Sequence, residues 1–159
     1  MKTIKINQKK LAIWAAECAV RVLPLFEKKY PEDERPRKAL LELGKWIKTG
    51  IFSMEKIRRA SLDSHAAARK AKSEPAKFAA RACGQAVATA HVAEHAYGSS
   101  YYALKAIGAM HPENPKEHIL REYKWQFGRM PKILRKDWLI WQKKKMPKFL
   151  IEIIHGKKG

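Results

Sequence analysis

Apolar residues recur at steps of three and four between about Asn7 and Lys29, which is the spacing of one face of a helix. Pro24 falls inside this segment, where a proline removes a backbone hydrogen-bond donor and crowds the preceding turn. We therefore expect a helix with a kink or break near residues 20–24. The face that would pack into a core comprises Leu11, Trp14, Ala15, Cys18, Val22 and Phe26.

Turn and capping signals divide the next part of the chain into further helices. After the charged segment YPEDER, Pro36 suits the first turn of a second helix and Gly50 suits its end. Ser53 suits the N-cap of a third helix, because its hydroxyl can accept from unpaired backbone N–H groups. Pro75 indicates the start of a fourth helix.

The segment Pro75–Met110 is rich in alanine and too long for one helix of a small domain. At 1.5 Å per residue it would extend for about 54 Å. We expect a break within His91–Ser100, with Gly98-Ser99-Ser100 as the weakest helical stretch. Alanine-rich faces let helix axes approach closely, so these helices are expected at the centre of the fold.

The last part of the chain, Lys116–Gly159, follows a loop at His111–Pro115 and has thirteen Lys and Arg against four Asp and Glu. Pro131 and Pro147 indicate two helix starts within it. No stretch of the sequence alternates as a strand does. We therefore expect an all-α fold in one domain: a single helical bundle of about six to eight helices, with its core at about residues 7–111 and a basic C-terminal helical extension.

The charge is strongly unbalanced, with 34 Lys and Arg against 15 Asp and Glu, a net charge of +19. Such an excess of positive charge bears on the partners and the solubility of the protein rather than on its fold. Nucleic acid, an anionic membrane surface and an acidic protein are the candidate partners. The alternative is a solvated surface without such a partner, because charge runs often lie on solvated faces.

Cysteine usage and the chain's N-terminal segment bear on the compartment. Cys18 and Cys83 lie in apolar runs, and neither a disulfide framework nor a zinc spacing such as CxxC is present. The basic segment Met1–Lys10 leads into a helix interrupted by charges and is not followed by a small-residue cleavage site. No apolar run approaches the roughly 18 residues of a membrane span. We expect a cytoplasmic protein without a signal peptide or membrane span.

Two histidines in the sequence HVAEH, His91 and His95, lie four residues apart and share one helical face. Both could reach one metal ion, with His65 from the preceding helix as a third ligand. However, the order differs from the HExxH motif of zinc peptidases. Histidines that hydrogen-bond across the bundle or line a small polar pocket are the favoured interpretation. We expect no metal and no cofactor.

Two arginines, Arg35 and Arg37, flank a proline in the segment ERPR and can make bidentate pairs with carboxylates. A salt-bridged helix–turn–helix corner is favoured over a phosphate or carboxylate site. His65 and Arg69 also lie one helical turn apart. The carboxylates with which Arg35 and Arg37 could pair are Asp33, Glu27 and Glu17. If a polar pocket or partner site exists, its candidate residues are Arg35, Arg37, His65, Arg69, His91 and His95.

The basic C-terminal part carries a second candidate site, because its cations could neutralise phosphates and its tryptophans could stack on bases. The same tryptophans, Trp125, Trp138 and Trp141, also suit helices that dock on their own bundle. No helix-turn-helix or other nucleic-acid fold signature accompanies them. The candidate phosphate contacts are Arg121, Lys124, Arg129, Lys132, Arg135, Lys136, Lys143, Lys144 and Lys145.

Several segments together resemble the immunity-protein-five-like family of putative immunity proteins. They are LAIWAAECAVRVLPLFEKKYPEDERPRKALLELGKWIKTG, SLDSHAAARKA and ARACGQAVATAHVAEHAYGSSYYALKA, with a weaker likeness in REYKWQFGRMPKILR. The resemblance covers roughly Leu11–Ile107, and its most specific pieces are LPLFE, ERPR, HAAAR and ATAHVAEHA. The matching positions are Arg21, Phe26, Glu27, Asp33, Arg35, Pro36, Arg37, Trp46, His65, Arg69, His91 and His95.

The resemblance implies a small all-helical protein with no established enzymatic activity, and the family name implies that it neutralises a toxin by binding it. The strongly basic C-terminal part departs from the family pattern. Our leading hypothesis is thus a non-enzymatic interaction protein with a toxin-like protein partner. The alternatives are nucleic-acid binding through the C-terminal part, and a metal or small-ligand site in the His/Arg pocket.

Overall fold

The computed structural model describes the backbone of residues 2–157 and the side chains of residues 7–157. Within these residues the chain forms eight α-helices and no strand, which confirms the predicted all-α class. A short 3-10 helix, Lys132–Leu134, precedes the seventh. The helices are α1 (Lys2–Glu27), α2 (Arg35–Thr49), α3 (Met54–Lys70), α4 (Glu74–Ala88), α5 (His95–Met110), α6 (Pro115–Arg129), α7 (Arg135–Lys145) and α8 (Lys148–His155).

The helix ends follow the predicted turn chemistry. Pro36 lies in the first turn of α2, and Gly50 ends that helix at φ +70°, donating its N–H to the Trp46 carbonyl. A left-handed residue at this position favours glycine, which has no Cβ. The Ser53 hydroxyl accepts from the backbone N–H of Lys56 at 3.3 Å, so its predicted capping role is confirmed.

The break expected in the first helix near residues 20–24 is wrong, because α1 continues through Pro24 to Glu27. The proline costs the helix one backbone hydrogen bond. The turns around it bury Val22, Leu23 and Phe26 almost completely. Burial of these three side chains outweighs the lost bond.

The break in the alanine-rich segment lies at Thr89–Glu94, and Gly98-Ser99-Ser100 is helical, contrary to expectation. These small residues serve close packing instead. A Cβ on Gly98 would stand 2.7 Å from the Gln85 side-chain oxygen. The Ser99 hydroxyl donates to the Ala15 carbonyl at 3.2 Å, and that of Ser100 donates to Oε1 of Gln126 at 2.7 Å. Long-range contacts therefore override weak local propensity.

The fourth helix lies at the centre of the fold, in contact with α1, α2, α3 and α5. Its small side chains leave room for neighbouring helices on several sides, which confirms the role expected of the alanine-rich segment. Its buried residues are Ala76, Ala79, Ala80, Ala82, Cys83, Gly84, Ala86 and Val87.

The basic C-terminal part packs on the helical bundle. Trp138 of α7 is fully buried, with its ring edge-on to Trp14 of α1 at a centroid distance of 4.9 Å. The Trp14 indole N–H donates to the backbone carbonyl of Gln126 in α6 at 2.9 Å. Leu150 of α8 is also fully buried. Trp14 and Trp138 are thus packing residues that join the first helix to α6 and α7.

Candidate functional site

A pocket of about 330 Å³ opens between the first half of α3 and the turns that lead into α5. Its wall is mainly apolar, with Met54, Ile57 and Leu62 on the α3 side. Two imidazoles, those of His91 and His95, line the other side. The pattern HVAEH therefore supplies both of its histidines to one cavity, which we call the histidine pocket.

The ring of His95 has a fixed orientation in this pocket. Its Nδ1 lies 2.9 Å from Oε1 of Gln85, so Nδ1 carries the hydrogen and donates it. Nε2 is then left as an acceptor. Burial lowers the pKa of His95, the charge of His91 lowers it further, and Glu94 acts in the opposite direction. His95 is therefore a neutral hydrogen-bonding group at pH 7.

The neighbouring His65 is held between α3 and α4. Its Nδ1 accepts from the Arg81 guanidinium at 2.9 Å, since arginine can only donate. Its ring also lies against Gly84, where a Cβ would stand 2.7 Å from Nε2. Burial, followed by the charges of Arg81, Arg69 and His95, lowers the pKa of His65 to about 4. His65 is consequently neutral as well.

The three histidines are not brought together as a set of metal ligands within residues 7–157. The guanidinium beside Nδ1 of His65 is a permanent cation and opposes a second cation there. No group of three or more His, Cys, Asp or Glu side chains in the part of the chain that the structure describes could hold a metal ion. The described geometry therefore gives no support to the metal hypothesis for His65, His91 and His95.

The arginine corner is a set of ion pairs. Arg35 donates twice to Asp33, at 2.9 and 2.7 Å, and Arg37 donates twice to Glu27, at 2.6 Å each. These hydrogen bonds lower the pKa of both carboxyl groups, although partial burial opposes them. The interpretation as a salt-bridged corner is thus confirmed. Neither arginine lines the histidine pocket, so the structure does not join the corner to it.

The candidate phosphate contacts of the C-terminal part fall into two groups. Its arginines are engaged: Arg121 pairs with Glu117, Arg129 pairs with Glu17, and Arg135 donates to the Phe127 carbonyl. Its lysines are exposed and make no ion pair with any carboxylate among the described residues. These free lysines are Lys124, Lys132, Lys136, Lys143, Lys144 and Lys145.

The tryptophans of the C-terminal part are packing residues rather than a stacking platform. Trp138 is fully buried. The Arg21 guanidinium lies 3.9 Å from the centroid of Trp125, and Trp141 contacts Tyr97 at 5.6 Å between ring centroids. The idea that Trp138 could stack on bases is therefore wrong, and the partly buried Trp125 and Trp141 already contact other side chains.

An exposed apolar surface beside the histidine pocket is not predicted by any motif of the sequence. Five large apolar side chains are exposed there, and we call them the end patch. Two of them, Ile51 and Phe52, lie in the sequence between a helix stop and a helix cap, which is a signal for apolar residues in a loop. The end patch comprises Ile51, Phe52, Met54, Leu62 and Val92.

None of the helices described within residues 2–157 combines the length and apolar character needed to cross a membrane. This agrees with the absence of a long apolar run in the sequence.

Comparison with known proteins places the chain in a family. The family model of the Imm-5 like putative immunity protein matches residues 1–133, which extends from the first helix to the turn before α7. No curated protein and no solved structure gave a match. The matched range contains the histidine pocket, the end patch and the arginine corner, whereas α7 and α8 lie beyond it. The chain belongs to the family of Imm-5 like putative immunity proteins.

Proposed function

We propose that this protein is a non-enzymatic immunity protein, which neutralises a toxin protein by binding to it. The observation that carries the proposal is the family match over residues 1–133. Such a role requires a folded surface complementary to a partner, and the end patch beside the histidine pocket supplies an apolar one.

The environment of the cysteines favours binding over nucleophilic catalysis. Cys18 and Cys83 are both completely buried, and burial raises the pKa of each thiol. A reactive cysteine is instead an accessible thiolate near positive charge. The neutral histidines are also engaged within the bundle. His65 accepts a hydrogen bond from Arg81, and His95 donates one to Gln85.

Surface charge indicates the kind of toxin that would bind. With a net charge of +19, the protein attracts acidic surfaces and repels basic ones at long range. An acidic partner is therefore expected, and association should slow as salt screens the attraction.

The test is co-expression with each protein encoded next to this one, in cells that stop growing when that neighbour is expressed alone. We expect growth to be restored by this protein and the pair to elute as a near-stoichiometric complex in gel filtration. Failure of every growth-inhibiting neighbour to be neutralised or bound would overturn the proposal. An unrelated basic helical protein serves as the control for charge.

Nucleic-acid binding is the second candidate, and the six candidate lysines of the C-terminal part, which are exposed and make no ion pair among the described residues, support it. Binding through phosphate contacts should weaken steeply between about 50 and 200 mM salt. Replacement of Lys143, Lys144 and Lys145 by serine should reduce the affinity and the salt dependence for duplex and single-stranded oligonucleotides. If the wild type shows no binding at about 50 mM salt, this candidate is excluded.

A further inference from the structure

The end patch gathers exposed apolar side chains from three neighbouring segments. The exposed fractions are 76% for Ile51, 45% for Phe52, 43% for Met54, 53% for Leu62 and 42% for Val92. Single exposed apolar residues are ordinary, but a contiguous group marks an interaction surface. Met54 and Leu62 line one pocket with His91, on which Phe52 stacks, whereas Ile51 and Val92 adjoin Phe52 and His91 in the sequence.

Contacts join the end patch to the histidine pocket. The Phe52 ring stacks on the His91 ring, with centroids 6.3 Å apart and planes 18° from parallel. His91 in turn lines the pocket together with Met54 and Leu62. The apolar surface is therefore continuous from the loop before α3 into a cavity of about 330 Å³.

The rim of this surface carries more cations than carboxylates, although Asp63 lies beside Met54 and Leu62 and makes no ion pair among residues 7–157. Arg58 lines the pocket, and no carboxylate in the described part of the chain forms an ion pair with it. Lys56 is exposed one turn from Ser53, also without an ion pair among residues 7–157. The Lys9 ammonium lies 3.6 Å from the point where a Cβ would stand on Gly50, beside the end patch. The nearby Glu55 is already paired with Arg59.

We propose that the end patch and the histidine pocket form the toxin-binding surface, and that they take an apolar side chain flanked by carboxylates on an acidic segment of the toxin. The identification of the partner as a toxin rests on the proposed function. The apolar side chain enters beside Leu62 and Met54, and the flanking carboxylates pair with Arg58 and Lys56.

The size and polarity of the pocket suit such a segment. Its volume lies near the lower end of the about 300–1,000 Å³ found for ligand sites, so it suits one large side chain rather than an extended ligand. Nε2 of His95 is an acceptor at the pocket wall, which fits a backbone N–H beside the inserted side chain.

Charge distinguishes this occupant from a second copy of the chain. Each copy carries +19, so apposing two end patches would bring Arg58 and Lys56 of one copy against the same cations of the other. Like charges brought together in an interface oppose association. An acidic partner instead places opposite charges around the same apolar contact.

The first experiment needs no toxin. Methyl and imidazole NMR signals are followed while the peptide acetyl-Glu-Glu-Phe-Glu-Glu-amide is added to about 1 mM, the range of weak binding. We expect concentration-dependent shifts of the Met54, Leu62, His91 and His95 signals. Control peptides with alanine for phenylalanine, or with lysine for glutamate, should shift them at least about tenfold less. Absent shifts, or equal shifts with a control peptide, overturn the proposal.

The second experiment compares Leu62→Asp with Leu41→Asp, a matched control because Leu41 is similarly exposed, at 58% against 53% for Leu62, and does not line the pocket. Circular dichroism and thermal unfolding serve to verify that both variants are folded before they are compared. We expect Leu62→Asp to lose peptide binding and to neutralise the toxin at least about tenfold less well, and Leu41→Asp to retain both. If the folded variant Leu62→Asp neutralises as well as the wild type, this surface is not the binding site.

Failure of the inference and failure of the proposed function give different results. If the wild type and Leu62→Asp neutralise the toxin equally well, the surface is refuted and the proposed function stays intact. A wild type that neutralises nothing refutes the function, and the peptide titration then decides the surface alone. A dimer detected by sedimentation and disrupted by Leu62→Asp would assign the surface to self-association. An oligonucleotide that produces the same NMR shifts would assign it to nucleic acid, and either result overturns the proposal.

Discussion

The guanidinium of Arg21 in α1 donates to both carboxylate oxygens of Glu122 in α6, at 2.8 and 2.9 Å. The two residues are 101 positions apart in the chain. Glu122 is buried, and a buried carboxylate is stable only when it is paired. The same guanidinium covers the ring of Trp125. This pair therefore ties the first helix to the start of the basic C-terminal part.

We expect Arg21→Ala to lower the free energy of unfolding by about 1–3 kcal/mol, because it leaves the Glu122 carboxylate buried without its partner. The loss in the free energy of unfolding should be smaller than for a fully buried ion pair, since Arg21 is itself partly exposed. Urea unfolding measures it. Arg121→Ala breaks an exposed pair with Glu117 and should change stability by at most about 0.5 kcal/mol. Equal effects of the two variants would contradict the role assigned to Arg21.

Gly84 is the basis of a second prediction, because glycine has no Cβ and so leaves room for the His65 ring. In Gly84→Ala the new Cβ would meet the His65 ring at 2.7–2.9 Å, so the ring must move and lose its contact with Arg81. We expect a loss of about 1–3 kcal/mol in the free energy of unfolding. The matched control is Gly44→Ala, since nothing lies within 4 Å of its Cβ position in α2.

Gly44→Ala should stabilise the protein by about 0.5–1 kcal/mol through helix propensity alone. The double variant His65→Ala/Gly84→Ala should cost less than the two single changes added together, because the clash is gone. Additive costs in this cycle would show that the contact between His65 and Gly84 is not the cause.

The lowered pKa of His65 makes stability depend on pH. Its pKa is about 4 in the folded protein, against an ordinary value of 6.5. As the pH falls below 6.5 the unfolded chain takes up a proton that the folded protein does not, so stability is full above pH 6.5 and is lost progressively down to about pH 4. The lowered pKa values of His95 and His155 act in the same direction.

We expect His65 to account for about 1–2 kcal/mol of this loss, less than about 1.4 kcal/mol per pKa unit would give, because its partial exposure screens the neighbouring charges. Denaturant unfolding of the wild type and His65→Asn between pH 7.5 and pH 4.5 tests this. The variant should lose less stability over that range. Parallel profiles would contradict the assignment.

Removal of the buried indole in Trp138→Ala should destabilise the whole protein by about 3–5 kcal/mol, as large-to-small changes in a core do. The reason is that Trp138 packs directly on Trp14 of α1, so the C-terminal part is not an independent appendage. Circular dichroism and tryptophan fluorescence should report one lowered unfolding midpoint. Ile133→Ala, at a site 71% exposed, is the control and should change stability by at most about 0.5 kcal/mol. An unchanged midpoint for the helical signal in Trp138→Ala would contradict the docking.

Local signals were sufficient for most helix boundaries. Gly50, Ser53 and the prolines that begin helices act through the backbone of their own turn, so their effect can be predicted from a few residues. The apolar spacing of α1 likewise predicted its buried face, including Trp14 and Phe26. Pro24 and the Gly98–Ser100 stretch were misjudged because their local cost is offset by burial and by hydrogen bonds to distant segments.

The candidate site was predictable only in part. The four-residue spacing of His91 and His95 predicted a shared helical face. This is wrong, because residues 89–94 are not helical and His95 begins α5, although both histidines line one pocket. The partners that set their chemistry lie on other helices: Gln85 fixes His95, and Arg81 fixes His65. No spacing rule predicts such pairs, because they depend on how α3, α4 and α5 are packed.

The sequence by itself determined the all-α class, most of the helix ends and the excess of positive charge, since each depends on composition or on residues within a turn or two. The tertiary structure alone decided that the basic C-terminal part docks through Trp138 and the pair Arg21–Glu122. It also decided that His65 and His95 are neutral and that an exposed apolar patch adjoins the histidine pocket. These properties arise from burial and from contacts between residues far apart in the chain, which local patterns do not encode.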